Sequence, residues 1–351
     1  MVGRGLLARL PALLRERCPA HRYAVISDSH VADLYGRKVV EDLRAAGLSA
    51  DLFAFPCGEW NKTRATWADL TDALLAARVG RDGAVVALGG GVTGDLAGFV
   101  AATYLRGIPF VQVPTSLLAM IDAATGGKTG VDVPAGKNLV GAFHQPRFVL
   151  ADVDTLATLP RAHVAAGMAE ALKHGVVADA AYFGAILAEA GAIRARDLAA
   201  LERVVARGVA IKEQVVEADP KEAGRREVLN FGHTIGHAIE ARSGYAFSHG
   251  EAVAIGMAVE AALAETAGIG EPGLAAAVQG ALERFALPLA LPAELPADEL
   301  LDAMRGDKKV RGGALRFALP RRIGEMARDA DGAWAVEVDE ELILQLLARS
   351  R

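Results

Sequence analysis

The sequence predicts an α/β domain followed by an all-α domain, and three observations carry that prediction. Short apolar runs alternate with helical patterns through the first half; the alternation stops near Thr158; beyond it the chain is rich in Ala and Leu at helical spacing. Alternation of this kind marks a doubly wound parallel sheet, because parallel strands need a crossover, usually a helix, across a face of the sheet. A chain of 351 residues also exceeds what one hydrophobic core ordinarily serves. Residues 1–155 are therefore expected as the α/β part and 160–351 as the helical part.

Taken in order, residues 1–17 read MVGRGLLARLPALLRER. Arg and Pro break this apolar stretch too often for a secretory core, and an amphipathic surface helix is expected. Tyr23–Ser27 (ending at Asp28), Asp51–Phe55, Gly83–Leu88, Pro109–Val113 and Phe148–Leu150 are expected strands, with a helix over Arg64–Arg78. Leu315–Leu319 is expected as a short strand in the helical half. No stretch approaches the roughly 18 uninterrupted apolar residues of a membrane span. Cys18 and Cys57 form neither a metal-spaced pair nor a disulfide framework, which fits a reducing, cytoplasmic setting. The net charge of −5 offers nucleic acid no global basic field, so an anionic ligand must be met by local cations.

Two glycine-rich turns stand out. Gly89-Gly-Gly-Val-Thr-Gly-Asp95 follows an apolar strand and opens a helix, an arrangement that suits a phosphate cradle as well as a tight strand-to-helix turn. It lacks the G-x-G-x-x-G spacing of the usual dinucleotide fingerprint. Asp122-Ala-Ala-Thr-Gly-Gly-Lys-Thr129 falls short of a P-loop, which needs Gly where Asp122 stands. Gly126 and Gly127 still suit a close backbone approach to a ligand beside Lys128, and Asp122 suits a hydroxyl.

The sharpest chemical signal is Asn230-Phe-Gly-His-Thr-Ile-Gly-His237, with His249-Gly-Glu251 after it and Gly167-Met-Ala-Glu170-Ala-Leu-Lys173 before it. His233 and His237 are four apart, and Glu170 and Lys173 three apart, so each pair shares one helix face. Two imidazoles and a carboxylate make a common catalytic zinc set with an open position. Spacing alone leaves open which two of the three histidines ligate and which is left for acid–base work. Arg106, Lys128, Lys137, Lys173, Lys212, Arg226, Lys308 and Lys309 fall in or beside these motifs. A substrate with both phosphate and carboxylate needs several such donors.

Together with Gly58-Glu59 and Lys62, these pieces resemble the 3-dehydroquinate synthases, within the wider sugar phosphate cyclases. The matching segments are GGGVTGD (89–95), PTSLLA (114–119), GGKTGVD (126–132), GKNLVGAFHQP (136–146), GMAEALKHG (167–175), KEAGRREVLNFGHTIGHAIE (221–240), HGEAVAIGM (249–257) and DKK (307–309). They keep family order over most of the chain. Departures are Asp122-Ala-Ala-Thr125, where many relatives carry Asp-Ser-Ser-Val, and Cys57, where Asp is common.

The resemblance implies a Rossmann-like NAD-binding domain, an α domain carrying metal and most substrate contacts, an active site in the cleft between them, and a homodimer. It implies Glu170, His233 and His249 as ligands of zinc or cobalt. His237 and Glu222 become acid–base groups, with Lys173 beside them. Asp28, Glu59, Lys62, Gly91, Val92, Thr93, Gly94, Asp95, Thr115, Ser116, Lys137, Thr155 and Thr158 match NAD-contacting positions. Arg106, Asp122, Lys128, Asn138, Lys173, Lys212, Arg226, Asn230, Lys308 and Lys309 match substrate positions, one of the last two making the contact.

The implied reaction turns 3-deoxy-D-arabino-heptulosonate 7-phosphate into 3-dehydroquinate and phosphate, in the shikimate pathway to chorismate. C5 is oxidised to a ketone by NAD, the ketone acidifies the neighbouring C6 proton so that the 7-phosphate leaves by elimination, C5 is reduced again, and the ring opens and closes as a carbocycle by an internal aldol step. The resemblance thus implies a phosphate-eliminating lyase that regenerates its NAD. Competing readings are a sister cyclase acting on sedoheptulose 7-phosphate or glucose 6-phosphate, a metal-dependent polyol dehydrogenase, and a non-catalytic zinc-binding regulator. Lys128, Asn138, Lys212, Arg226 and Asn230 favour the carboxylate-bearing substrate.

Overall fold

The apolar runs of the first half pair as a parallel sheet. The computed structural model describes residues 1–220, 224–244, 246–305 and 315–350. The chain divides into two units, Met1–Leu159 and Pro160–Arg351.

In the first unit, β1 (Val2–Gly3) and a 3-10 turn precede α1 (Leu10–Arg17), so the N-terminal helix is shorter than residues 1–17. Pro11 sits in its first turn, where a missing N–H costs nothing. Leu10, Leu13 and Leu14 turn inward while Arg15 and Arg17 stay in water. β2 (Tyr23–Asp28) leads through the one-turn α2 (Ser29–Val31) to α3 (Arg37–Ala45) and β3 (Ala50–Phe55). Then come α4 (Arg64–Ala76), β4 (Ala84–Gly89), α5 (Gly91–Thr103) and β5 (Phe110–Pro114).

The sheet order is β3-β2-β4-β5, all parallel. Val25, Val86 and Val111 point to one face, under Leu13, Leu14, Val39 and Leu43. Ala24, Ile26, Val85, Ala87 and Phe110 point to the other, under Leu70, Leu74, Leu96 and Val100. Both faces are thus dry, which is why these strands read as continuous apolar runs. The chain steps outward from β2 to β3, then returns past β2 to β4. In such sheets the ligand crevice lies outside the carboxyl ends of the strands where direction reverses. Here those ends are Asp28 and Gly89.

The glycine loops after residue 125 hold more order than their composition suggests. β6 (Lys128–Val133) and β7 (Gly136–Phe143) form an antiparallel hairpin. Gly130 pairs with Gly141, and a Cβ on Gly141 would lie 2.0 Å from the Thr129 carbonyl oxygen. These glycines serve close strand contact, not a free turn. Phe148–Leu150 runs beside β5 as a single bridge, Gln112–Val149, instead of a full strand. The chain then changes neighbour, pairing β8 (Ala151–Asp152) with β1, so no continuous ladder builds.

The second unit is built from α6 (Arg161–Ala178), α7 (Ala180–Ala188), α8 (Ala190–Arg194), α9 (Leu198–Ala218), α10 (His233–Arg242), α11 (His249–Thr266), α12 (Leu274–Glu283), α13 (Ala297–Arg305) and α14 (Glu340–Arg349). It is helical but not all-α. β9 (Arg316–Phe317), β10 (Pro320–Arg322), β11 (Glu325–Met326) and β12 (Val336–Glu337) pair as β9–β12 and β10–β11. Strands of two or three residues are too short to leave a period in the sequence. The one expected strand, Leu315–Leu319, contains β9.

α6 and α11 are buried nearly all round, and they touch backbone to backbone. A Cβ on Gly250 would lie 2.2 Å from the Ala166 carbonyl oxygen. Gly256 lets α11 approach the start of α10 equally closely, 2.0 Å from Gly232 O by the same measure.

Asp179 caps α7, accepting the Tyr182 N–H at 2.9 Å and the Arg207 Nε–H at 2.7 Å. Burial pushes its carboxyl up, but the Tyr182 N–H and the Arg207 guanidinium outweigh that and hold it below the ordinary value. A depressed carboxyl stabilises fully above the unfolded value, near pH ~4, and loses that contribution as pH falls through the folded one. Asp179→Ala is expected to cost about 1 kcal/mol at neutral pH. Urea unfolding at several pH values should show this difference shrinking below pH ~4.

Candidate functional site

Three helices of the second unit bring Glu170, His233 and His249 together, with donor atoms within 4.8 Å of one another. Glu170 comes from the middle of α6 and is 0% exposed. His233 opens α10 and His249 opens α11. The Ser248–Glu251 capping box fixes the start of α11, and so the base of the His249 side chain.

The two oxygens of Glu170 are divided. Oε2 pairs with the buried Lys173 ammonium one turn along α6. Oε1 lies 3.5 Å from His233 Nε2 and 3.4 Å from His249 Nε2. The other ring nitrogens are occupied: His233 Nδ1 lies 3.1 Å from the Phe231 carbonyl oxygen, and His249 Nδ1 lies 3.2 Å from Glu240 Oε2. A carbonyl oxygen cannot donate, so His233 carries its proton on Nδ1 and turns a lone pair on Nε2 toward Glu170. Metal-binding histidines are held in this way, with the far N–H given to a carbonyl or carboxylate. Donor atoms around a tetrahedral ion with bonds of about 2.0–2.2 Å stand about 3.3–3.6 Å apart, a range that includes the 3.5 and 3.4 Å seen here.

Burial and the nearby Lys173 charge hold the His233 imidazole well below its usual range. Burial works against the charge of His249 too, but hydrogen bonds to Glu170 and Glu240 outweigh it and push the ring up to about 10. His237 sits one turn beyond His233, exposed, its ring 5.4 Å from the His233 ring centre and edge-on to it. A second candidate trio, His237, Glu240 and His249, shares His249 with the first.

Elsewhere in the second unit, Lys212 lies buried on α9, and Arg226 lies buried in the 3-10 turn Arg225–Asn230 that packs on α6 and α9. Asp219 holds that turn, accepting the N–H groups of Gly224 and Arg226 at 2.7 and 3.0 Å. Asn230 ends the turn, three residues before His233. Glu222, Lys308 and Lys309 lie outside the described residues.

In the first unit, the switch-point crevice gathers several expected residues. Asp28 Oδ1 accepts the N–H groups of His30 and Val31, and its Oδ2 accepts the Thr93 hydroxyl at 3.2 Å. α5 starts at Gly91 with no side-chain cap, so Gly91, Val92 and Thr93 form a helix N-terminus of the kind that takes anions. The Thr115 N–H donates to Gly89 O at 2.9 Å, and Ser116 Oγ lies beside Gly90. Gly94 packs onto Gln112.

Nearby, Lys62 is almost fully buried, with Asp95 at 3.0 Å, Glu59 at 3.4 Å and Asp132 at 3.8 Å. Burial disfavours its charge, but Asp95, Glu59 and Asp132 more than compensate and hold the ammonium above its ordinary range. Lys137 joins at 3.5 Å from Glu59. Thr155 is buried, donating its hydroxyl to Asp152 O, and Thr158 meets the Tyr35 hydroxyl at 2.6 Å. Arg106 and Asn138 both have positive φ, 69° and 54°, where a side chain is strained. Asp122 lies in the turn Ala119–Ala123, and Lys128, exposed, opens β6.

Sequence reasoning passed over Glu240, Glu260 and Asp132. Asp132 holds the Asn138 N–H at 2.8 Å, and burial pushes its carboxyl up against the pull of Lys62. Glu240 had a signal, lying seven residues, about two turns, after His233.

The chain matches the family model described as the 3-dehydroquinate synthase N-terminal region over residues 52–166, and the C-terminal one over 167–310. The 3-dehydroquinate synthase of Symbiobacterium thermophilum is 49% identical over 332 residues, covering 94% of this chain and 93% of that protein. A crystal structure of 2-deoxy-scyllo-inosose synthase complexed with carbaglucose-6-phosphate, NAD+ and Co2+ matches at TM-score 0.91 and 29% identity, covering 99% of this chain and 96% of that one. The 2-epi-5-epi-valiolone synthase of Streptomyces hygroscopicus subsp. jinggangensis, with NAD+ and Zn2+ bound, matches at TM-score 0.90 and 30% identity, covering 99% and 95%.

Proposed function

This chain belongs to the 3-dehydroquinate synthase family, and from that premise we propose that it converts 3-deoxy-D-arabino-heptulosonate 7-phosphate to 3-dehydroquinate and phosphate. It is then a phosphate-eliminating lyase dependent on NAD and a divalent metal. The observation that carries this choice is the identity to a 3-dehydroquinate synthase over nearly the whole chain, well above that to the two sister cyclases.

Glu170, His233 and His249 would hold the ion. This trio is preferred over His237, Glu240 and His249 because both its imidazoles turn Nε2 toward Glu170 while Nδ1 is engaged elsewhere, and a bound cation would take the place of the His249 Nε2 proton. When bound, the metal supplies Lewis-acid acidification of a substrate hydroxyl, and NAD supplies a reversible hydride acceptor. The chain's own residues do the rest. His237, exposed beside His233, takes up and returns the hydroxyl proton, with Glu222 as its acid–base partner. Lys173 holds Glu170 in register and adds positive charge where the substrate's anionic groups arrive.

NAD would lie along the switch-point crevice, on Asp28, the Gly91–Asp95 turn, Thr115 and Ser116, with Glu59, Lys62, Lys137, Thr155 and Thr158 around it. Arg106, Asp122, Lys128, Asn138, Lys212, Arg226, Asn230 and one of Lys308 and Lys309 would contact substrate.

The enzyme acts as a cytoplasmic homodimer in this reading. β7 leaves Leu139, Val140 and Phe143 exposed, an apolar edge suited to a second copy. No helix among the described residues is long and apolar enough to cross a membrane.

The test is purified protein with zinc, NAD and the heptulosonate phosphate, following phosphate release and product mass together. Phosphate with 3-dehydroquinate, and no build-up of reduced NAD, is the expected result. Turnover of sedoheptulose 7-phosphate instead would move the protein to the sister cyclases. Lys173→Ala is expected to lower kcat/KM about 10–100-fold, the worth of one charged hydrogen bond. NAD affinity, measured by fluorescence, should stay within about twofold of wild type; an unchanged kcat/KM would remove Lys173 from the reaction.

A further inference from the structure

α10 carries His233 and His237, yet it has no cap of its own. Its N-cap position is Gly232, at φ 79°. A side chain there would be strained, and its Cβ would strike Met257 Cγ at 2.4 Å and Val253 O at 2.9 Å. The first N–H groups of α10 must therefore find their acceptor on another element.

They find it on α11. Glu260 Oε2 accepts the Gly232 N–H at 2.6 Å, and Oε1 accepts the Ile235 N–H at 3.2 Å. Glu260 is 0% exposed, so both bonds are shielded from water. A carboxylate at this end of a helix is also favoured by the helix dipole. The two N–H groups bracket His233 in sequence. Holding both fixes how far the first turn of α10 is advanced and how it is rotated, and thus where the His233 ring stands beside Glu170. α11 also carries His249, eleven residues earlier, about three turns away on the same face. One rigid helix therefore supplies one imidazole of the cluster and grips the helix that supplies the other.

We propose that Glu260 is a positioning residue for the metal centre, its two-oxygen grip on the start of α10 setting the His233 imidazole for coordination. The proposal rests on His233 and His249 being ligands.

The experiment is cobalt loading of the full chain, reading the dissociation constant by chelator competition and the visible ligand-field spectrum. Wild type, Glu260→Ala, Glu260→Gln and Asp179→Ala are compared, the last losing a helix cap away from the cluster. Glu260→Ala is expected to weaken cobalt binding about 10–100-fold, as the loss of an outer partner does, and to alter the spectrum. Glu260→Gln, which keeps one good acceptor, should fall between it and wild type. Asp179→Ala should bind cobalt as wild type does. Wild-type affinity and spectrum in Glu260→Ala would overturn the proposal; if that variant does not fold, the same result in Glu260→Gln overturns it. Wild type that binds no cobalt, or binds it unchanged after His233→Ala, overturns the metal reading and this proposal with it.

Discussion

His249→Ala is expected to abolish metal-dependent turnover while NAD binding persists. Three donors converge in the second unit, and removing one leaves Glu170 and His233 to hold an ion alone. Several kcal/mol of Lewis-acid stabilisation would go with it. At about 1.4 kcal/mol per decade, that is a fall of about a thousandfold or more in kcat. NAD binding should survive because the crevice at Asp28 and Gly89 belongs to the first unit. Elemental analysis of dialysed protein, phosphate release, and nucleotide fluorescence quenching read the three parts separately. A variant that keeps a full equivalent of zinc and turns over normally would remove His249 from the ligand set.

The second large effect comes from one methyl group placed in two settings. Gly256→Ala would drive a Cβ to 2.0 Å from Gly232 O, backbone that cannot swing aside. Overpacking of this kind costs typically 1–3 kcal/mol, and here α10 must shift away from α11. The expected result is a Tm lower by roughly 5 °C or more, with reduced zinc content, because the displaced helix carries His233. Gly280→Ala, inside α12 with nothing within 4 Å of the new methyl, should do the reverse. It gains about 0.4–1 kcal/mol through lower unfolded-state entropy and better helix propensity. Calorimetry and metal analysis on both variants decide the matter; shifts of the same sign would show that close helix contact is not what Gly256 provides.

Much of this was legible in the residues, for identifiable reasons. The strands around Val25, Val86 and Val111 are apolar on both faces, and turn residues bracket them. The pair β6–β7 was not legible, because Gly130, Gly136 and Gly141 read as loop when their use is close strand contact. His233 and His237, four apart, announced one helix face. The packing of α10 on α11, with Glu170 of α6 reaching His233, separates them, burying His233 and leaving His237 exposed. Glu240 and Glu260 act across helices, and no local pattern encodes a partner 28 residues away. The trace Glu260 does leave is a single carboxylate within the apolar stretch Ala252–Ala264 of α11, which must be paired to be tolerated.

The break at Leu159 and Pro160 bears on how the protein is made. Every strand of the parallel sheet comes from residues before 115, and its covering helices α1, α3, α4 and α5 come from the same stretch. Parallel pairing is slow, because each strand must wait for its crossover. Synthesis runs at about 5–20 residues per second, so roughly ten seconds or more separate the first unit's exit from completion of the chain. The nascent sheet can therefore close on the ribosome before the helices of the second unit compete for its apolar faces. Conditions that hurry translation should accordingly harm the yield of soluble protein more than they harm its stability once folded.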